Sequence, residues 1–289
     1  MATTLIVNPY ATRVTEERTA AVARELGADT VVLTERRGHA TELAREVATG
    51  TVVVFSGDGG FNEALNGLRP GVAVGFVPGG GTSVLPRALG LPRDPITAAR
   101  AIANGRTRRI SVGRANGRRF GFSAGLGFDA ELVRRMDARG RDASGKRPGD
   151  LVFAATAARL LAERRGRFDP LVEIAGHGSV AFALVANADP YTYAGRLPLH
   201  VSPDATWEGG VDVVGPICVR PGSLPRLLAL ALTGRGFGRA KGLVRVHDAD
   251  RVELRAHRPL PFQMDGEDLG DVTEVVVECE RSAVDVLVP

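Results

Sequence analysis

From residue 3 to residue 105 the chain alternates two hydrophobic rhythms. The runs TLIVNP (4–9), DTVVLTE (29–35), TVVVF (51–55) and VAVGFVP (72–78) are short, apolar and rich in β-branched residues, which predicts strands. Between them TEERTAAVARELG (15–27), HATELAREVATG (39–50) and PITAARAIANG (95–105) repeat apolar residues at helical spacing. Thr15 reads as the N-cap of the first helix and Gly27 as its stop, and Asn104-Gly105 closes the third. Strand–helix alternation predicts a parallel sheet covered by helices, with ligands bound beyond the carboxyl ends of the strands.

The rhythm changes near residue 107. RRISVGRANGRRFGFSAG (108–125) reads as a hairpin around Asn116-Gly117. Residues 128–165 read as helical, interrupted by the polar, basic RGRDASGKRPGD (139–150). From LVEIAG (171–176) to AVDVLVP (283–289) the chain is strand-rich, with one helix over 223–233. This half predicts an antiparallel sandwich or open barrel.

Two of the strands in the first half run into glycine loops. TVVVF leads into SGDGGFNEALNGL (56–68), and VAVGFVP leads into GGGTSVLPRALG (79–90). A strand that ends in glycines and opens into a helix presents backbone N–H groups to an anion. Neither loop has the Lys-Ser or Lys-Thr of a P-loop, and neither fits GxGxxG. The first loop encloses a carboxylate, Asp58, which would repel a phosphate. Such an acid suits a magnesium ion, a ribose hydroxyl or a hydroxyl that must lose its proton. The plainer reading is that Asp58 caps the helix of residues 60–68.

Composition narrows the class. The 289 residues are 44% hydrophobic and 24% charged, as expected of a soluble globular protein of one large or two ordinary domains. A net charge of +4 suits nucleotides or anionic lipid and is too weak to argue for nucleic acid. Cys218 and Cys279 lie far apart in apolar runs, which predicts buried free thiols in a reducing compartment. MATTLIVNPY lacks the basic and apolar regions of a signal peptide, and LPRLLALALTG (224–234) is too short to span a bilayer. A cytoplasmic protein, at most peripheral at the inner face of the membrane, is expected.

Five motifs in order resemble those of the diacylglycerol kinase and sphingosine kinase superfamily, in particular its bacterial soluble lipid kinases. They are Asn8-Pro9 after the first strand, SGDGGFNEALNGL, PGGGTSVLPRALG (78–90), GLGFDAELV (125–133) and QMDGE (263–267). The resemblance implies an N-terminal α/β nucleotide-binding domain over 1–110 and a C-terminal antiparallel β-sandwich domain over 111–289. The last strand would pack back on the first domain, and the active site would lie in the interdomain cleft. It implies ATP and magnesium as cofactors and a lipid at the membrane surface as the partner that accepts phosphate.

Roles follow residue by residue from that resemblance. Asp58, Asp265 and Glu267 become catalytic candidates, with Asp58 or Asp265 as the base. Asn8, Ser56, Gly57, Gly59, Gly60, Glu63, Gly80, Gly81, Thr82 and Ser83 become nucleotide-binding candidates, and Asp204 and Asp212 a metal pair. Each has a plainer reading: a turn for Asn8, a solvated helix residue for Glu63, ordinary Asp-Gly turn chemistry for Asp265. Asp129 either caps a helix or faces the cleft, and Arg87 is a candidate to neutralise phosphate.

The chain also departs from the pattern. Ser56 and Gly60 stand where the diacylglycerol kinases carry Gly and Thr, and Gly81, Ser83 and Val84 replace Thr, Asn and Asp. The expected activity is phosphoryl transfer to a lipid primary hydroxyl, diacylglycerol first. The alternatives are a weak or inactive relative that binds nucleotide or lipid as a sensor or carrier, and a kinase of a soluble acceptor such as NAD. A homodimer is compatible with all three. The basic stretch 133–147 and the helix near 224–234 suggest contact with an anionic membrane.

Overall fold

The computed structural model describes residues 2–140 and 150–289, so most of the basic interruption at 139–150 lies outside the described residues. The chain divides into two compact units, Met1–Val112 with Ser282–Pro289, and Gly113–Arg281.

The first unit holds β1 (Thr3–Val7), α1 (Glu16–Leu26), β2 (Thr30–Leu33), α2 (His39–Glu46), β3 (Thr51–Ser56), α3 (Asp58–Gly67), β4 (Ala73–Pro78), α4 (Val84–Ala88) and α5 (Pro95–Ala103). Its strands run parallel in the order β2-β1-β3-β4. Val286, near the end of the chain, pairs with Val74 of β4 in parallel, so residues 282–289 close this sheet. Alternation splits the strand side chains between two faces. Leu5, Val7, Val53, Phe55 and Val77 form one core with Val22 of α1 and with Ala99 and Ile102 of α5. The intervening residues face the other way, where Phe61 of α3 meets Phe76 edge to face at 5.2 Å. Thr15 caps α1, its Oγ1 accepting from Arg18 N, and Gly27 ends it in the left-handed conformation. β2 departs from its apolar reading: it is the edge strand, and Val31 and Leu33 are exposed.

The second unit begins within β5 (Arg106–Ala115). It continues through β6 (Arg118–Phe120), β7 (Ser123–Leu126), α6 (Phe128–Ala138), α7 (Asp150–Glu163), β8 (Val172–Ile174), β9 (Gly178–Val180) and β10 (Ala183–Ala186). After these come β11 (Thr192–Ala194), β12 (Leu197–Leu199), β13 (Val211–Pro216), α8 (Leu224–Thr233), β14 (Leu243–Ala249), β15 (Arg251–Met264) and β16 (Glu267–Val288), whose residues past 281 belong to the first unit. The order β14-β13-β10-β7-β15-β16 is antiparallel throughout. Its core is nearly all aliphatic, from Val172, Val185 and Val213 to Leu254 and Val277. Asn116 and Gly117, with φ of 47° and 85°, make the two-residue turn of the β5–β6 hairpin. The free Cys218 and Cys279 are half-buried rather than fully buried.

Candidate active site

In the first unit the carboxyl ends of β1, β3 and β4 lie side by side, and the strand order reverses between β1 and β3. The two glycine loops leave this edge and touch through their backbones. A Cβ on Gly80 would sit 2.9 Å from Gly57 Cα. Gly79 N donates to Ser56 O at 2.6 Å, and Arg13 N donates to Gly79 O at 2.8 Å. A side chain at 80 would push the loops apart.

Asp58 opens α3, and its Oδ1 accepts from Leu85 N of α4 at 3.2 Å. It therefore links the first loop to the helix that follows the second. Ser83 has φ of 48°, and its Oγ both accepts from Gly80 N at 3.2 Å and lies 3.3 Å from Gly80 O. Arg87 Nη1 reaches Thr82 O at 3.5 Å. Nothing lies within 4 Å of where a Cβ of Gly81 would be, so that side of the loop is open.

Two candidates are engaged elsewhere. Asn8 Oδ1 accepts from Tyr10 N at 3.0 Å and stabilises its own turn. Glu63, half-buried, accepts through Oε2 from Ala40 N at 3.3 Å, at the first turn of α2, rather than facing solvent.

In the second unit Asp265 and Gly266, with φ of 48° and 78°, form the tight turn between β15 and β16. Asp265 is almost wholly buried. Its Oδ2 accepts from Gly121 N at 2.6 Å, and its Oδ1 accepts from Phe122 N at 3.0 Å and Ser123 N at 3.2 Å. Asp265 N returns a bond to Ser123 O at 2.8 Å. This carboxylate clamps the start of β7, which argues for holding structure over collecting a proton. Glu267 pairs with Arg118 at 2.9 Å.

Asp129 lies in the first turn of α6, half-buried, with its carboxyl Oδ1 enclosed. Its Oδ2 accepts from Tyr191 Oη at 2.5 Å and from Gln263 Nε2 at 2.9 Å, while its Oδ1 has no partner. Burial raises its pKa, and the bonds from Tyr191 and Gln263 only partly oppose that. A Cβ on Gly125 would stand 2.0 Å from Asp129 Oδ2, so the glycine in GLGFDA makes room for the acid. The sequence singled out Asp129 but gave no sign of Tyr191, which lies in a loop with no motif around it.

The expected metal pair does not fit a magnesium ion. Asp212 is fully buried and accepts from Ser202 Oγ at 2.5 Å, His247 Nδ1 at 2.9 Å and Asp248 N at 2.8 Å. Asp204 pairs with Arg245 at 2.7 Å. Among the described residues no group of three or more His, Cys, Asp or Glu side chains is arranged to hold a metal.

The diacylglycerol kinase catalytic domain model matches residues 2–115. Those residues are therefore similar to that catalytic domain. Two solved structures share the fold over 100% of this chain and 97% of theirs. One, described as a candidate diacylglycerol kinase from Bacillus anthracis str. Sterne, has 19% identity and a TM-score of 0.74. The other, described as a diacylglycerol kinase from the same strain, has 18% identity and a TM-score of 0.71. A comparison with curated proteins gives no match.

Within this family pattern, the two departures in the first loop compensate each other. A Cβ at position 60 would lie 2.2 Å from Ser56 Oγ and 2.7 Å from Ser56 Cβ. Ser56 uses the volume that a residue-60 side chain would need, so serine at 56 calls for glycine at 60. Ser56 Oγ itself is buried without a partner.

Proposed function

We propose that the protein is an ATP- and magnesium-dependent lipid kinase that transfers a γ-phosphoryl group to a primary hydroxyl, diacylglycerol first. The observation that carries this reading is Asp58, the one carboxylate in two glycine loops packed backbone to backbone at the carboxyl edge of a parallel sheet. Gly81 leaves its side of the second loop open, which suits backbone groups offered to a nucleotide's phosphates. Gly57, Gly59, Gly60, Gly80 and Gly81 would offer backbone to the phosphates, and Asp58 would hold the magnesium, whose charge neutralises the transferring group. Asp58 would orient the donor, while Asp265 would keep the start of β7 in place.

A lipid acceptor is supported by the second unit. Phe128, Phe168 and Phe182 are half-buried there with ring centroids 5.3–6.1 Å apart, an apolar surface suited to an acyl chain. A second reading, a relative that binds nucleotide without efficient transfer, draws on the second loop. Val84 is buried and apolar there, and the Ser83 hydroxyl turns back on Gly80.

The test is transfer of labelled phosphate from Mg-ATP to diacylglycerol, ceramide, sphingosine and NAD, each lipid in detergent micelles. A labelled diacylglycerol that falls roughly 10²–10³-fold in Asp58→Asn supports the kinase. ATP binding with no product would favour the second reading. A labelled NAD alone would sink the lipid acceptor.

A further inference from the structure

We propose that α8 is an interfacial docking helix, which seats its outward face in an anionic lipid bilayer. The proposal rests on the lipid-acceptor reading above and adds a surface to it. A surface helix of a soluble domain turns charged residues outward. In α8 the outward residues Pro225, Leu228, Ala229 and Leu232 follow i, i+3, i+4, i+7 and are all exposed, Leu228 by 58% and Leu232 by 42%. The inward face, with Leu230 buried and Leu227 and Ala231 half-buried, is already used for packing. The helix is therefore apolar on both sides, and only one side has a partner within this chain. α8 packs on β12, which carries another exposed apolar residue, Leu197.

Charge identifies the occupant. From Val213 to His247 there is no Asp or Glu, while Arg220, Arg226, Arg235, Arg239, Lys241 and Arg245 are all basic. Arg220 pairs with Asp169 and Arg245 with Asp204. The other four have no carboxylate partner among the described residues, and Arg226 donates to Lys241 O, which ties the basic loop to the helix. By contrast, in the basic stretch 133–147, Arg134 and Arg135 are paired with acids. Leucines flanked by unpaired cations match a bilayer with negative headgroups. A second copy of the same face would bring those four cations against their own kind.

The measurement is flotation of the whole protein, without nucleotide, on vesicles of phosphatidylcholine alone or mixed with phosphatidylglycerol. The wild type should float with the mixed vesicles and far less with the neutral ones. The Leu228→Glu/Leu232→Glu pair should lower flotation roughly tenfold or more. Arg235→Glu/Arg239→Glu should lower it about tenfold on the mixed vesicles, as should added salt for the wild type. Leu151→Glu, at a residue 87% exposed on α7, should match the wild type. All variants should melt with the wild type, because these side chains are exposed. Wild type that stays unbound, or a Leu228→Glu/Leu232→Glu protein that floats normally, overturns the proposal. So does a wild-type dimer that this variant splits. The micelle assay tests the kinase separately, so a protein that floats but transfers nothing fails only as a kinase.

Discussion

Ser56 and Gly60 occupy one space: a Cβ at 60 would overlap the Ser56 Cβ at 2.7 Å, and no serine rotamer can move that atom. Alanine at a helical position gains about 1 kcal/mol over glycine, whereas overpacking costs about 1–3 kcal/mol. Gly60→Ala should therefore lower stability by up to about 2 kcal/mol, and adding Ser56→Gly should remove the loss. Urea unfolding of the two single variants and the double variant measures the coupling. Additive losses would refute the steric pairing.

Asp265 should behave as a structural clamp. Asp265→Asn keeps the left-handed turn that asparagine tolerates but removes charge from three N–H bonds. The expected loss is about 2–4 kcal/mol in unfolding free energy. An unchanged melting curve with abolished transfer would instead point to a role as the base.

The enclosed carboxyl of Asp129 should make stability depend on pH. Its folded pKa is raised by burial, so the native state holds the proton more tightly than the unfolded chain does. Its contribution is complete below the ordinary carboxylate range, about pH 4, and is lost as pH rises through the raised folded value. Asp129→Asn should flatten this slope in urea unfolding run from about pH 4 to pH 8. A slope equal to that of the wild type would exclude the effect.

His247 titrates in another window. The bond to Asp212 raises its pKa. Its contribution is full below about pH 6.5, the free histidine value, and disappears as pH rises through the folded one. The ring is half exposed, so the stability effect is small and NMR titration is the better reading. Magnesium should leave that titration unchanged, since Asp212 is already surrounded by protein donors. A magnesium-dependent shift would restore the metal pair.

Local signals carried much of the fold. Thr15 and Gly27 bounded α1 because capping chemistry is contained within a few residues. Asn116-Gly117 marked its hairpin for the same reason, and Asp265-Gly266 marked a turn. The change of rhythm near residue 107 lies close to the boundary at Val112, because parallel and antiparallel sheets demand different spacing of apolar residues. The glycine loops were legible because strand, glycine and helix follow one another directly.

What the sequence by itself determined was local: which segments are strands and helices, where they stop, and which loops expose backbone to an anion. Only the tertiary structure decided that β2 is an edge, that Glu63 meets α2, that Asp265 closes on Gly121–Ser123 and that Asp212 meets His247. It also decided that one face of α8 stays uncovered. Such contacts join residues many positions apart, and the hydrophobic period that selects a helix or strand is indifferent to which distant group will satisfy a given carboxylate.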